Sequence, residues 1–497
     1  MPIIEKYYHL RLPDTKITEY VLEAIDQTQY GISVKTVKRL RKKHGLLSTR
    51  QQVHTDDAIA EKVFKIRESY PTAGVGELLK MLDDEYGMRV SNRAQLISLL
   101  RVIEPAELAG RKGNKLKRKR FWATGVNDVW AFDQHDKWKR FGLLFHVGVE
   151  VYSGRVLWLK VWWSNRTPAL LASYYFGAVR DTGGVPLLTQ SDPGKEAVGI
   201  ANAHTVIRQH HDVTLLGSIQ HRWKRKPGTN VKPEIFWSGL RRGFSPGFED
   251  CLEDGFIFGW YDADDNLHIL VFRWLAIPWI QRELDSYRHR RNTRLPRSNK
   301  KKFLPHGIPD LIFERPDRYG AQDFKVLVDP AIVDATEARF APSDHPVFEL
   351  VPAWFKFKIE AAYAGLNAPV VSVSTFWETF RALLRAVSGD LTPEDLHLIH
   401  SRPREDDEAP ADFFEPEPGG APWPDELGKL FYPKSVTSPN MPHADADDQV
   451  PIQQPEHGGG GVLEGEQDGE EEEDEADLVG DEIPWAVYTD DEEDNVV

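Results

Sequence analysis

The stretch that most restricts what this chain can fold into is its C-terminal end. Residues 401–497 hold 30 acidic and 4 basic side chains, with four consecutive glycines at 458–461 and the run EEEEDE at 470–475. A segment so charged and so poor in apolar residues cannot bury enough surface to offset the entropy of ordering it. The sequence therefore predicts a disordered acidic tail over 401–497 and confines folding to what precedes it. Residues 1–400 carry 58 basic and 47 acidic side chains, a net of +11 inside a chain whose overall net charge is −15. A basic body with an acidic tail points to a nucleic-acid partner. At 497 residues the chain exceeds one ordinary domain, for which roughly 100–200 residues is the usual size. The lone Cys251 excludes an internal disulfide and a cysteine-rich zinc site, and fits a reducing compartment. The N-terminus, MPIIEKYYHLRLPDTK, lacks an apolar signal core. No run reaches the ~18 apolar residues of a membrane helix; the most apolar window, Ile269 to Ile280, contains Arg273. A soluble intracellular protein without a membrane partner is expected.

Residues 1–105 read as helical. Ile17 to Gln27 has apolar residues at helical spacing, Gly31 follows, and Ser33 can cap a helix from Val34 to His44 that Gly45 stops. A helix, a short glycine-containing turn and a basic helix resemble a helix-turn-helix. Its second helix would offer Lys35, Lys38, Arg39, Arg41, Lys42 and Lys43 to DNA; the plainer explanation is helix packing with solvated lysines. Asp56 to Ser69, Gly74 to Tyr86 and Asn92 to Val102 repeat the helical layout. A basic linker, residues 106–126, comes next. Seven of the ten residues from Arg111 to Arg120 are basic, and Lys117 and Arg118 there suit a phosphate-contacting strap or a nuclear import signal.

Over residues 127–316 strands and helices alternate. Val129 to Trp138, Leu143 to Val151 and Val156 to Trp162 read as strands, the last two joined by a turn at Ser153-Gly154. Pro168 to Arg180 reads as a helix, Pro186 to Gln190 as a short strand, Glu196 to His210 as a helix and Thr214 to Gly217 as another short strand. Three strands, then helix, strand, helix, strand and helix, is the element order of an α/β, RNase H-like catalytic core, a mixed sheet flanked by helices. Residues 317–400 read as an additional folded region that carries no chemical signal. Trp485 and Tyr488 in the tail are a slight hint of a docking motif.

Three carboxylates stand out. Asp133 lies in the apolar strand VWAFDQHDKW, where a carboxylate is costly unless solvated, paired or bound to a cation. Asp192 opens an Asp-Pro-Gly turn, itself sufficient reason for an aspartate, but it also ends a buried-looking strand, where α/β enzymes place their sites. Glu234 follows Asn230 and Pro233 at a helix start, a position that the helix dipole already favours for an acid. The separations are 59 and 42 positions. Carboxylates from several elements that meet in space are what a pair of divalent cations requires, and magnesium accepts so small a set because it keeps its waters.

In this context the motifs resemble a known family. Asn127-Asp128-Val129-Trp130-Ala131-Phe132-Asp133 is similar to the opening "PN-x-x-W-x-x-D" of the integrase core family of retroviral integrases and of eukaryotic or fungal mobile elements. Val151-Tyr152-Ser153-Gly154-Arg155-Val156 resembles its "D-x-x-S-R-x-I" turn, and Asn165 its next helix opening. Gly184-Val185-Pro186 with Ser191-Asp192-Pro193-Gly194-Lys195-Glu196 resembles "G-x-P … R-x-D-x-G-x-E". Asn230-Val231-Lys232-Pro233-Glu234-Ile235-Phe236-Trp237 resembles "N-x-R-I-E-R-x-W". Tyr287, Arg288, Arg291 and Asn292, followed by Ile308-Pro309-Asp310-Leu311-Ile312, resemble the closing basic region and "P-x-x-L". The chain departs at Glu150, where the pattern has Asp, at Ser191, where it has Arg, and at Pro233 and Ile235 beside the glutamate. Leu216 to Asn230 is longer and more basic than in the pattern, and the zinc-binding N-terminal module of retroviral integrases is absent.

The resemblance implies a DDE-type polynucleotidyl transferase that cuts and joins DNA, with Asp133, Asp192 and Glu234 holding two Mg²⁺ (or Mn²⁺) ions. It also implies element-end and target DNA as partners, a homo-oligomer and a nuclear location. Asn230 is expected to cap or orient its helix, and His135 is read as a neutral surface histidine. Arg222, Lys224, Arg225 and Lys226, interleaved with Trp223, suit a loop over the scissile strand, and Lys232 suits a phosphate contact. The eight basic residues between Arg288 and Lys302, with Arg290 and Arg291, suit a second contact. The alternative is a domesticated, catalytically weak integrase-derived DNA-binding protein.

Overall fold

The computed structural model describes residues 1–49, 51–90, 93–105, 122–224, 228–298 and 303–401, all within one compact unit. The basic run at 111–120 with Lys117 and Arg118, the pair Arg225 and Lys226, Lys300 to Lys302, and the acidic tail with Trp485 and Tyr488 lie outside the described residues.

Aromatic and β-branched residues at alternating positions build the central sheet. Its strands are β1 (Val129–His135), β2 (Leu144–Glu150), β3 (Val156–Trp162), β4 (Leu188–Ser191) and β5 (His221–Trp223), in the order β3-β2-β1-β4-β5. β1, β2 and β3 form an antiparallel meander, whereas β4 and β5 run parallel to β1 and each other. This is the mixed, helix-flanked α/β sheet of the RNase H-like type that the sequence predicts. On one face Trp130 and Phe132 meet Trp158 and His146 and the helices α7 (Pro168–Thr182) and α8 (Val198–His211), through contacts such as Trp130–Tyr175. Gly148 belongs to this face because a Cβ there would collide with the Trp158 indole. On the other face Asp133 and His135 point to α9 (Val231–Gly243).

Two sequence expectations shift here. Thr214 to Gly217 is not a strand: Asp212 caps a 3-10 turn over Val213–Leu215, and Gly217 has a φ of +78°. The fifth strand lies further on, at His221–Trp223, inside the stretch read as a basic loop.

β3 is an outer strand, and an unprotected edge invites pairing with other chains. The long helix α11 (Asn266–Thr293), which follows α10 (Ser245–Ile257), covers it with side-chain amides. Gln281 accepts from the Val161 amide (3.1 Å) and donates to the Leu159 carbonyl (3.0 Å). Asn292 does the same for the amide and carbonyl of Val156, each at 2.9 Å. Arg288 donates to the Leu157 carbonyl (2.8 Å), so Arg288 and Asn292 are committed to the sheet edge rather than offered to DNA.

The N-terminal helices α1 (Pro2–His9), α2 (Asp14–Glu23) and α3 (Val34–Lys43) close around Ile17 and Val37, with Tyr7 stacked on Tyr20 at 4.1 Å. They share that core with Ile308 and Leu311, the latter in α12 (Pro309–Glu314). Ser33 caps α3 as expected. The turn before it is not a helix-turn-helix turn, however: α2 stops at Glu23 and residues 24–33 intervene, against the 3–4 residues usual in that motif. Helices α4 (Asp56–Ser69), α5 (Val75–Tyr86) and α6 (Arg93–Ile103) lie within a residue or two of the predicted spans, with Thr55 capping α4 and Gly87 ending α5 at φ +64°. They dock on the core through Arg290–Glu85 (3.2 Å), Tyr70–Glu283 (3.4 Å) and Thr72 with the Arg242 carbonyl. Beyond α12 come α13 (Pro330–Phe340), α14 (Ala353–Gly365), α15 (Phe376–Asp390) and α16 (Pro393–His400).

Gln281→Ala strands the Val161 amide and the Leu159 carbonyl. Equilibrium urea unfolding should show a loss of about 1–3 kcal/mol, the usual cost of an orphaned buried polar group. A stability equal to wild type would mean that water replaces the amide and that the edge does not depend on α11.

Candidate active site

β1 and β4 pair in parallel with Ala131 opposite Gln190. Carrying the register two residues on sets Asp192, just past the end of β4, level with Asp133. Both then lie on the face that α9 covers, on chains whose strands sit about 4.8 Å apart. Glu234 is in the first turn of α9, and Trp237 lies three positions further along that helix, on the same side. The Trp237 indole donates to Asp133 Oδ2 at 3.1 Å, which fixes the side of α9 that carries Glu234 as the side facing β1.

Asn230 sets this arrangement. It stands at the N-cap of α9 but makes no side-chain cap bond there, contrary to the expectation of a simple cap. Its fully buried amide instead donates to the Phe132 carbonyl (3.0 Å) and accepts from Gln190 Nε2 (3.2 Å). One side chain thus ties the start of α9 to both β1 and β4. Asparagine before a helix signals a cap; nothing in the local sequence signals a tie across two strands.

The electrostatics show that the acids are mutually close. Burial pushes the Asp133 carboxyl well above the usual carboxylate range; the Asp192 charge raises it further and Glu234 adds to that. Hydrogen bonds from the Gln134 amide and the Trp237 indole oppose the rise. Asp192 is exposed as a residue, yet packed atoms around its carboxyl desolvate it enough to raise its pKa as well. Among the described residues no three His, Cys, Asp or Glu side chains close into a finished ligand cluster. Asp192 and Glu234 each stand within electrostatic reach of Asp133 instead, and hard carboxylate oxygens of this kind suit a divalent cation with oxygen ligands and bound water.

His135 is buried, not on the surface. It stacks on Trp237 with ring centres 4.9 Å apart, and burial, with Arg241 and Lys137 nearby, pushes its pKa down to about 4, so it is neutral. Glu150, at the position where the pattern has Asp, is fully buried and accepts from the amides of Asn127, Tyr152 and Ser153; it shapes the β2–β3 turn.

The basic residues divide. Lys35, Lys38 and Arg39 are exposed on α3 with Lys42 and Lys43, whereas Arg41 turns inward to Asp14 at 2.7 Å and is withdrawn from that surface. Arg222 is exposed on β5, and the Lys224 amide donates to the Ser191 carbonyl at 2.8 Å, which places both residues beside Asp192. Lys232 is half-buried in the first turn of α9, near enough to Glu150 to lower its pKa. Arg290 is not a free cation: it is buried under the Tyr70 ring and paired with Glu85, which removes it from the expected DNA contacts. Arg291 lies half-buried over Phe236. Exposed Lys137, Lys139 and Arg140, in the turn after β1, escaped the sequence reading although DKWKR follows Asp133 by only a few positions.

A five-stranded mixed sheet in this order, flanked by helices, is an RNase H-like fold. Residues 121–308 match the family model of the integrase core domain. Over this stretch the chain carries an integrase core domain, the kind found in integrase- and transposase-like polynucleotidyl transferases. No curated protein matches the chain.

Folding raises the pKa of Asp133, so the native state holds its proton more tightly than the unfolded chain does. Stability in the absence of metal therefore falls as pH climbs from the ordinary aspartate value, near 4, through the raised one. In chelator at pH 7, Asp133→Asn should unfold at a higher urea concentration than wild type, with the difference closing at about pH 3, where both states are protonated. Equal midpoints at pH 7 would show that Asp133 feels no such repulsion.

Proposed function

We propose that this protein is a DDE-type polynucleotidyl transferase that cleaves DNA strands and joins their ends to a target, with Asp133, Asp192 and Glu234 as its metal-binding carboxylates. The observation that carries the reading is geometric: the β1–β4 register sets Asp192 level with the half-buried Asp133, and the Trp237 bond to Asp133 turns the side of α9 that bears Glu234 toward them. Acids from three elements in one desolvated place are unfavourable without a cation to neutralise them. Integrase core domains are generally dependent on divalent metal, and Mg²⁺ or Mn²⁺ fits these ligands. Asp133, Asp192 and Glu234 would hold the ions, and ions held there would supply the positive charge that favours attack by a water or 3′-hydroxyl oxygen and departure of the leaving oxygen at phosphorus. Asp133 is held in position by Trp237, Glu234 is aimed by the Asn230 tie, and no covalent bond to the protein is required.

DNA is the substrate that the family implies. The exposed Lys35, Lys38 and Arg39 of α3, Arg222 and Lys224 beside Asp192, and Lys232 are the phosphate contacts in this reading. Work on paired ends calls for more than one copy of the chain, and a nuclear setting follows from the substrate.

Asp133→Asn, Asp192→Asn and Glu234→Gln should each reduce Mg²⁺-dependent nicking and joining of an end-mimicking duplex by roughly a thousandfold or more, since several kcal/mol of charge stabilisation is removed. Cleavage without joining by wild type would make the protein a nuclease. DNA binding with no wild-type product in Mg²⁺ or Mn²⁺ would sink the enzymatic reading.

A separate measurement addresses the grip on DNA. The triple variant Lys35→Ala, Lys38→Ala, Arg39→Ala should flatten the slope of log K against log salt by about 2–3, because each lost phosphate contact removes roughly 0.9. An unchanged slope would place the contact surface elsewhere.

A further inference from the structure

Asp192 sits beyond the last residue of β4, in a turn, where a carboxylate has no strand to aim it. The residues beneath it supply a fixed support. Ser191 Oγ donates to the Asp192 carbonyl at 2.8 Å. Its single proton being used there, Oγ must accept from His221 Nε2, 3.2 Å away. A His221 protonated on Nε2 leaves Nδ1 as an acceptor, and Thr189 Oγ1 stands 2.8 Å from it, well inside its 3.5 Å separation from the Gln220 carbonyl, the other acceptor in reach. The donors therefore run in one direction: Thr189 hydroxyl to His221, His221 to Ser191, Ser191 to the Asp192 peptide. Thr189, Ser191 and His221 are all buried. The imidazole is held between the Phe132 ring (5.6 Å) and the Trp223 ring (4.2 Å), so β1 and β5 both keep it in place.

We propose that Ser191 and His221, backed by Thr189, are positioning residues that set the Asp192 peptide and so aim its carboxylate at the divalent cation. The inference rests on the reading of Asp192 as a metal ligand. Ser191 is also a position where the chain departs from the pattern it resembles, so here a serine–histidine chain does the holding. Burial keeps His221 neutral, with its pKa pushed down to about 3, and the donor order therefore survives across the range in which such an enzyme works. The three residues touch neither DNA nor the reacting atoms in this scheme; they act through Asp192.

The test is direct Mn²⁺ binding to the full chain without DNA, by calorimetry or by loss of the free-ion EPR signal. Wild type is compared with Ser191→Ala, Ser191→Thr, His221→Phe, His221→Gln and, as reference, Asp192→Asn. Ser191→Ala and His221→Phe should weaken Mn²⁺ binding by about tenfold or more, the usual effect of removing a partner that orients a ligand. Ser191→Thr, which keeps the hydroxyl, and His221→Gln, which keeps one donor and one acceptor, should stay within about threefold of wild type. Equal binding by the Ala and Phe variants overturns the inference, as does an equal loss in Ser191→Thr and Ser191→Ala, which would show that packing alone matters. If melting shows that an Ala or Phe variant is unfolded, the Thr and Gln variants decide: retained affinity supports the chain of donors, and lost affinity overturns it. Failure of wild type to bind Mn²⁺, with Asp192→Asn no different, refutes the metal reading of the site itself and the inference with it.

Discussion

The candidate site depends on the two hydrogen bonds of a single buried amide, Asn230. Glu234 arrives on a helix, Asp133 on a central strand and Asp192 at the end of a parallel neighbour, and nothing in the chain path alone brings a helix N-terminus over that pair of strands. Asn230 does so by reaching the Phe132 carbonyl and the Gln190 amide together. Both partners are one or two positions from the aspartates they serve. A helix held at its first residue cannot slide or turn far, so Glu234 and Trp237 are delivered to one place. A smaller residue at 230 would leave a buried carbonyl and a buried glutamine amide unmatched, which is costlier than the loss of an ordinary cap.

Holding like charges together carries its own cost, and the surrounding polar groups show how it is limited. The carboxyl of Asp133 receives hydrogen bonds from the Trp237 indole and the Gln134 amide, both of which favour the ionised form. The indole is in turn stacked on the neutral His135, so it can keep its hydrogen bond without adding charge. Glu150, a fourth acid on the same sheet, is satisfied by backbone amides and a serine hydroxyl and plays a structural part. The contrast separates Glu150, which local donors satisfy, from Asp133, whose rise in pKa the charges of Asp192 and Glu234 increase.

Much of the fold was legible because it rests on local signals. Alternating Val, Trp and Phe made β1, β2 and β3 readable, and Ser33 marked a helix start that the structure keeps. What escaped was long-range. β5 is three residues long and sits in a basic stretch, so neither length nor alternation announces it. The α2–α3 turn looked short because apolar spacing continues past Glu23, whereas Asp26 bonds to the amide of Thr28 and holds that stretch as a turn. Arg41, Arg288 and Arg290 looked like solvent-facing cations in basic runs, yet each is taken up by an acid or a carbonyl distant in sequence. A charge run gives the count of cations but not which of them turn inward. Asp133, Asp192 and Glu234 could be picked out because their order and neighbours formed a pattern, while Asn230 and His221 act through contacts that no spacing reveals.

The inward-facing arginines also bear on how DNA would meet the acids. Arg290 with Glu85 and Tyr70 fixes α4–α6 to α11, and Arg89, lying over the Tyr8 ring at 3.5 Å and paired with Asp83, fixes α1 to α5. Glu23 pairs with Arg315 and Arg318, holding α2 to the segment after α12. The N-terminal helices are therefore attached to one another and to the core at several points by paired charges. A basic surface on α3 carried in this way would keep its distance from Asp133 if phosphates neutralised it, because the exposed cations proposed to meet DNA are not those that hold the helices. Had the same arginines served both purposes, DNA binding would compete with the packing that aligns the helices with the sheet. On the proposed reading, the division of basic residues into buried ties and exposed cations would allow a strongly charged substrate to bind without loosening the protein around its acids.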